Sequence, residues 1–153
     1  MGGENSTSKT STIAVTRIVD FSETFSLYYS SRYSDTTVDK IDNFIEHFER
    51  YGLFGNPAKG EPAWIGKVSP SWNLPANYVG EDKEHIISYA RQNKLWHAHI
   101  GDPEFTVTYH GKYQTSDWVI HFQKIDDNHI KLLELGYHNP MSLPTKEIID
   151  EKP

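Results

Sequence analysis

The chain has no cysteine among its 153 residues. Disulfides, thiolate metal sites and a cysteine nucleophile are therefore excluded together. Small secreted domains commonly lean on disulfides, so the expected compartment is cytoplasmic. Long apolar runs are also lacking. None reaches the ~20 residues of a membrane-spanning helix, and no membrane partner is expected. The opening "MGGENSTSKTST" holds no apolar stretch of the kind a signal peptide needs. Positive charge is scarce: 15 Lys and Arg stand against 21 Asp and Glu, for a net charge of −6. Nucleic-acid binders carry the opposite balance as a rule, so any such contact must rest on a local basic patch. There is no G-x-S-x-G elbow and no dinucleotide fingerprint. "GKYQTS" from Gly111 lacks the upstream glycine and adjacent hydroxyl residue of a phosphate loop.

What is present reads as one domain. Residues 1–11 are polar and aperiodic and are expected to be disordered. Residues 12–143 carry the periodic patterns, and 144–153 form a polar tail expected to fray. "TIAVTRIVDF" (12–21) alternates as a strand does. "SETFSLYYSSRYS" (22–34) fits either a second strand or a short helix. In "DTTVDKIDNFIEHFERYG", Val38, Ile41, Phe44, Ile45, Phe48 and Tyr51 form one helical stripe. Asp35, Thr36 or Thr37 can cap it, Gly52 can end it in the left-handed region, and His47 falls off the stripe toward solvent. Four prolines in 53–80 forbid a long regular element, and Trp64 and Trp72 are expected to pin that loop to the core. "EDKEHIISYARQNK" (81–94) reads as a second helix with Ile86, Ile87 and Ala90 inward.

From Leu95 the period changes to that of strands. "KLWHAHI", "FTVTYH", "WVIHFQKI" and "HIKLLELGYH" are separated by turn residues and predict a four-strand antiparallel meander. Alternation puts Trp96, Ala98, Ile100, Phe105, Val107, Tyr109, Trp118, Ile120 and Phe122 on one apolar face. The other face collects His97, His99, Thr106, Thr108, His110, His121 and Gln123. The fold class expected is α+β, an antiparallel-rich sheet of four to five strands. The two helices of 35–52 and 81–94 cover one face and a histidine-rich face is open to water on the other.

Three chemistries suit such a face. A His-x-His pair with His110 or His121 as third ligand suits a metal-dependent hydrolase or a metal-binding module. Neutral and protonated imidazoles suit acid–base cleavage of RNA, with His97, His99, His121 and His138 as acid or base and Lys94 and Lys112 as cations. A non-enzymatic binding domain is the third. His85 and His129 read as surface residues without a role.

Three stretches, "HFERYGLFGNP" (47–57), "KLWHAHI" (94–100) and "YQTSDWVIHF" (113–122), occur in an order and spacing that resembles the YafO family of toxins from bacterial type II toxin–antitoxin systems. The resemblance spans residues 44–140 at most and is sharpest over about 25 residues. It implies a RelE-like fold and a translation-linked endoribonuclease (an mRNA interferase) that needs no metal or other cofactor. The implied partners are RNA and a cognate antitoxin protein. Carried over by position, His97, His99, Thr115, Ser116 and Asp117 are implicated, and His138 lies where such proteins often keep a functional residue. Asp117 and His121 join His97 and His99 as catalytic candidates. Lys94, Lys112, Thr115, Ser116 and His138 are RNA-binding candidates. Where the family has arginine, this chain has Gln114 and Asn56, so phosphate contacts fall to Lys94, Lys112 and Arg91. Thr115-Ser116-Asp117 also fits a turn built by side-chain-to-backbone hydrogen bonds.

Overall fold

The structure is a computed structural model that describes residues 15–80, 82–139 and 141–153. Strand β1 (Ile18–Phe21) is followed by helices α1 (Glu23–Ser31) and α2 (Asp35–Tyr51). A 3-10 turn (Pro57–Lys59) and the short strand β2 (Val68–Pro70) lie in the proline-rich stretch. Helix α3 (Lys83–Gln92) precedes β3 (Leu95–Asp102), then β4 (Thr106–Val107), β5 (Gln114–Thr115), β6 (Trp118–Asp126) and β7 (His129–Tyr137). Helix α4 (Lys146–Ile149) closes the order. The architecture is α+β, with a five-stranded mixed sheet in the order β1-β7-β6-β3-β2. Within that sheet the β1–β7 pair is parallel and the others are antiparallel.

The local signals act as physical chemistry requires. The 22–34 stretch resolves to a helix because Ser22, fully buried, accepts from the Phe25 amide at 2.9 Å and caps it. Its hydroxyl also donates to the Leu133 carbonyl at 2.8 Å, which fixes α1 against β7. The cap of α2 is Ser34, one residue before the three candidates read from sequence. Its hydroxyl accepts from the Thr37 amide at 3.2 Å. Gly52 ends α2 at φ 76 and ψ −174, a positive φ with an extended ψ rather than the left-handed helical pair. Ile41, Phe44 and Phe48 from α2 join Phe25 from α1 over Ala98, Ile100, Ile120, Phe122, Ile130 and Leu132. This is the apolar face expected from alternation, and it is the main core.

Four expectations are corrected. First, the meander has three strands, β3, β6 and β7. The 105–110 stretch leaves the sheet and makes a separate ladder, β4 with β5. Gly101, at φ 82, sits in the register break between His99 and Asp102 and bends the chain away. Second, α3 does not join α2. The helices on the core face are α1 and α2, while Ala90 of α3 packs with Leu95, Leu133 and Ile149 on the opposite face. Third, the polar tail contains α4, whose Ile149 is buried. The Lys131 ammonium donates to the carbonyls of Ile149 (2.9 Å) and Glu151, and Glu151 in turn accepts from the Thr24 amide at 2.7 Å. Fourth, His47 is half-buried, its ring 5.4 Å from that of Trp64, with Nε2 unpartnered among the described residues. His129 likewise faces Asp20, at 2.7 Å. The expected disorder of 1–11 and the start of the first strand at 12–14 lie outside the described residues.

Phe48 is fully buried at the centre of the main core. Phe48→Ala should lower unfolding stability by about 3–5 kcal/mol in urea titration, from lost transfer energy and the cavity left behind.

Candidate active site

The histidine face forms, but three of its rings are buried. The β3–β6 register sets His97 opposite His121 and Ala98 opposite Ile120, so both strands point imidazoles to one side. His97, His99 and His121 are 5%, 1% and 0% exposed. The expectation of a solvated face is therefore overturned. Helices α3 and α4 cover its Leu95–Leu133 end, and β2 and the Ser116 turn flank the rest.

Each ring is held differently. His97 lies between two hydroxyls, Ser71 Oγ at 2.9 Å from Nδ1 and Ser69 Oγ at 3.3 Å from Nε2. The Ser116 amide donates to His99 Nδ1 at 2.8 Å, and the Ser116 carbonyl stands 2.8 Å from the same nitrogen. The first contact suits the tautomer with its proton on Nε2, and the second suits a protonated Nδ1. Among the described residues, His99 Nε2 and both nitrogens of His121 are buried without a partner. His121 fits only because its cross-strand neighbourhood contains Gly136. A Cβ there would lie 2.7 Å from His121 Nε2.

A fourth ring joins from beyond β7. The His138 amide donates to the Asp117 carbonyl at 2.7 Å, and this bond ties the strand end to the Ser116–Asp117 turn. Its ring centroid lies 4.6 Å from that of His99 and 5.8 Å from that of His97. His97 is 6.3 Å from His99 and 6.2 Å from His121 by the same measure. His138 is the most exposed of the four and forms the rim.

The remaining candidates sort by their contacts. Ser116 is buried, its Oγ accepting from the Gly101 amide at 3.1 Å and donating to the Trp118 carbonyl at 2.9 Å. It is a turn-builder that also holds His99. Asp117 meets His138 through its carbonyl, with its side chain exposed. Thr115 pairs with Thr106 in the β4–β5 ladder. Lys94 is exposed at the far end of β3, and Lys112 is exposed in the hairpin loop. His110, expected on the histidine face, is exposed there too, with its Nδ1 accepting from the Lys112 amide at 3.0 Å. None of these three side chains contacts the four rings.

Lys67 was missed by the sequence reading. The His99 amide donates to the Lys67 carbonyl at 2.9 Å, and β2 pairs Ser69 with His97. Alternation therefore turns Lys67 and Ser69 to the imidazole side. The only sequence signal is this i, i+2 spacing, hidden in a span whose prolines and glycines read as loop.

Burial dominates the electrostatics. It pushes His97 down to about 3, helped by the charges of His121, His138, His99 and Lys67. Burial and His138 push His99 down to about 4. His121 falls to about 4 for the same two reasons. His138 is lowered by burial and then by Lys67. The cluster is thus neutral at pH 7. Two shallow concavities lie elsewhere, about 200 Å³ beside His47 and Trp64 and about 250 Å³ beside Arg17 and Lys124. No family model, no curated protein and no solved structure matches this chain.

Because these rings bind protons less readily folded than unfolded, stability is full above the ordinary histidine value of 6.5 and is lost as pH falls toward 4. Each buried ring should cost about 2 kcal/mol between about pH 6.5 and about pH 4.5. Chemical denaturation across that range checks this. His121→Leu removes one such ring and two unpartnered nitrogens, so it should flatten the profile and cost little at pH 7.

Proposed function

We propose that the chain is an endoribonuclease that cuts RNA by metal-independent acid–base chemistry, a toxin of the YafO/RelE-like kind silenced by a cognate antitoxin. The observation that carries the reading is the His99–His138 pair, two imidazoles 4.6 Å apart where the exposed ring of the cluster meets a buried one. RNA supplies its own nucleophile. A neutral imidazole takes the proton of the ribose 2′-hydroxyl, the 2′-oxygen attacks phosphorus, and the bond to the 5′-oxygen breaks as a second, protonated imidazole gives that oxygen its proton. The products are a 2′,3′-cyclic phosphate and a 5′-hydroxyl. The depressed proton affinities supply the base at neutral pH without further device. The acid arises when an anionic phosphodiester lies against the cluster, since a negative charge within ~4–6 Å favours the protonated ring. The resemblance in "KLWHAHI" and "YQTSDWVIHF" supports the same assignment.

The competing reading, a metal-dependent hydrolase on the same face, has the unpartnered nitrogens of His99 and His121 in its favour. Among the described residues, however, no group of three or more His, Asp or Glu side chains is positioned to hold one ion. The acid–base reading needs no such group.

The test is cleavage of a message in a reconstituted translation reaction. Purified protein should release fragments with 2′,3′-cyclic phosphate ends, and chelator should leave the rate unchanged. His138→Gln should lower the rate about 10²–10⁴-fold, the span of one acid–base group, with an unaltered melting curve. The His97→Ala, His99→Ala double variant should relieve growth arrest on expression without the antitoxin. An intact message with the wild-type protein would sink the proposal. The pH dependence has a definite sign. The free protein's acid titrates below 6.5, so kcat/KM should fall about tenfold per pH unit from about pH 7 to about pH 8.5.

A further inference from the structure

Lys67 is a half-buried cation with no carboxylate within ion-pair distance among the described residues. Its ammonium lies 5.3 Å from the centre of the Tyr113 ring, and its strand position is directly across from His99. A lysine whose charge reaches three of the imidazoles is electrostatically unfavourable as it stands. Its charge opposes protonation of His97, His99 and His138. Ordinary packing would relieve this with an Asp or Glu. On the imidazole face the carboxylate is Glu134, the register partner of His121, and burial raises its own proton affinity. The Asp117 side chain is turned to solvent. The site therefore gathers donors and positive charge and leaves them unbalanced. Two further facts point to a ligand. His99 is 1% exposed with Nε2 unpartnered, and its Nδ1 is already held at Ser116, so Nε2 faces the other rings. His138, the one exposed ring, stands between His99 and solvent.

We propose that Lys67, His99 and His138 form an oxyanion site for a phosphodiester of a polynucleotide, and that filling it draws a proton onto the imidazoles. The identification of the anion as a polynucleotide phosphate rests on the reading given under Proposed function. The oxyanion site itself rests on the geometry of the three residues. Lys67 contributes charge, His138 and, once its ring is protonated, His99 Nε2 contribute directed N–H donors, and the Lys67 ammonium lies against the Tyr113 ring. Lys67 thereby takes up the phosphate contact that Gln114 and Asn56 leave without an arginine. Because anion and proton are taken up together, each favours the other, and binding tightens as pH falls toward the ring midpoints.

NMR titration of the histidine ring protons tests this, in inorganic phosphate against chloride at equal ionic strength. Phosphate should raise the His99 and His138 midpoints by about one unit, a tenfold preference of the anion for the protonated ring. His47 and His129, remote from the site, should not move and report an intact fold. Lys67→Met should abolish the response and Lys67→Arg should keep it. Equal midpoints in phosphate and chloride, or a full response in Lys67→Met, would overturn the site. A second arm uses an all-deoxy oligonucleotide, which has no 2′-hydroxyl to attack. A response at far lower concentration than phosphate requires supports the polynucleotide assignment, and a response to inorganic phosphate alone refutes it. If the phosphate response is present while RNA stays uncut, the oxyanion site stands and the endoribonuclease reading falls. Cleavage of RNA without any phosphate response does the reverse.

Discussion

The antiparallel register that sets His97 against His121 and Ala98 against Ile120 governs both faces of this sheet at once. Side chains alternate along a strand, so a slip of one residue between β3 and β6 would drive imidazoles into the phenylalanine core and strip Ile120 and Phe122 of their partners. The burial of Phe44 and Phe48 on one side therefore holds the histidines in place on the other. Chemistry and packing are two readouts of one strand pairing. The requirement extends to β7, where Gly136 leaves the volume that the His121 ring fills.

Much of this was legible because alternation is a local property. The apolar face, the histidines opposite it and the α2 stripe all follow from residue spacing within single elements. The burial of three of those rings did not follow, since it depends on distant pieces of chain: α3, the α4 segment, and the hydroxyls of Ser69 and Ser71. Lys67 escaped for the same reason. Three residues of β2 among prolines carry no periodic signal, and only pairing with β3 orients them. Thr106, Thr108 and His110 show the opposite error. Their pattern is that of a strand, but the register break at Gly101 moves the whole stretch out of the sheet. His138, which follows the last strand, is tied to the site by a backbone bond to Asp117.

Charge distribution matters more than its sum. A chain of net charge −6 still gathers one lysine and four histidines in a small volume. Burial keeps those rings neutral, so the cluster adds little to the long-range field of the protein. At the proposed oxyanion site, attraction for an anion would be correspondingly short-ranged. Such a site discriminates by contact rather than by steering.

The parallel seating of β1 beside β7 sets the order in which the chain can mature. Ser22 and Leu133, joined by one hydrogen bond, are 111 positions apart, and Thr24 and Glu151 are 127 apart. Contacts this distant in sequence close late, because loop entropy must be met before they form. The hairpin of β6 and β7 can pair early and bring His121 close to its final neighbours. Helices α1 and α2 pack on the core beside the β1–β7 pair, and Glu151 clamps α1 from beyond α4. A clamp between residues this far apart ties the first helix to the segment that follows α4.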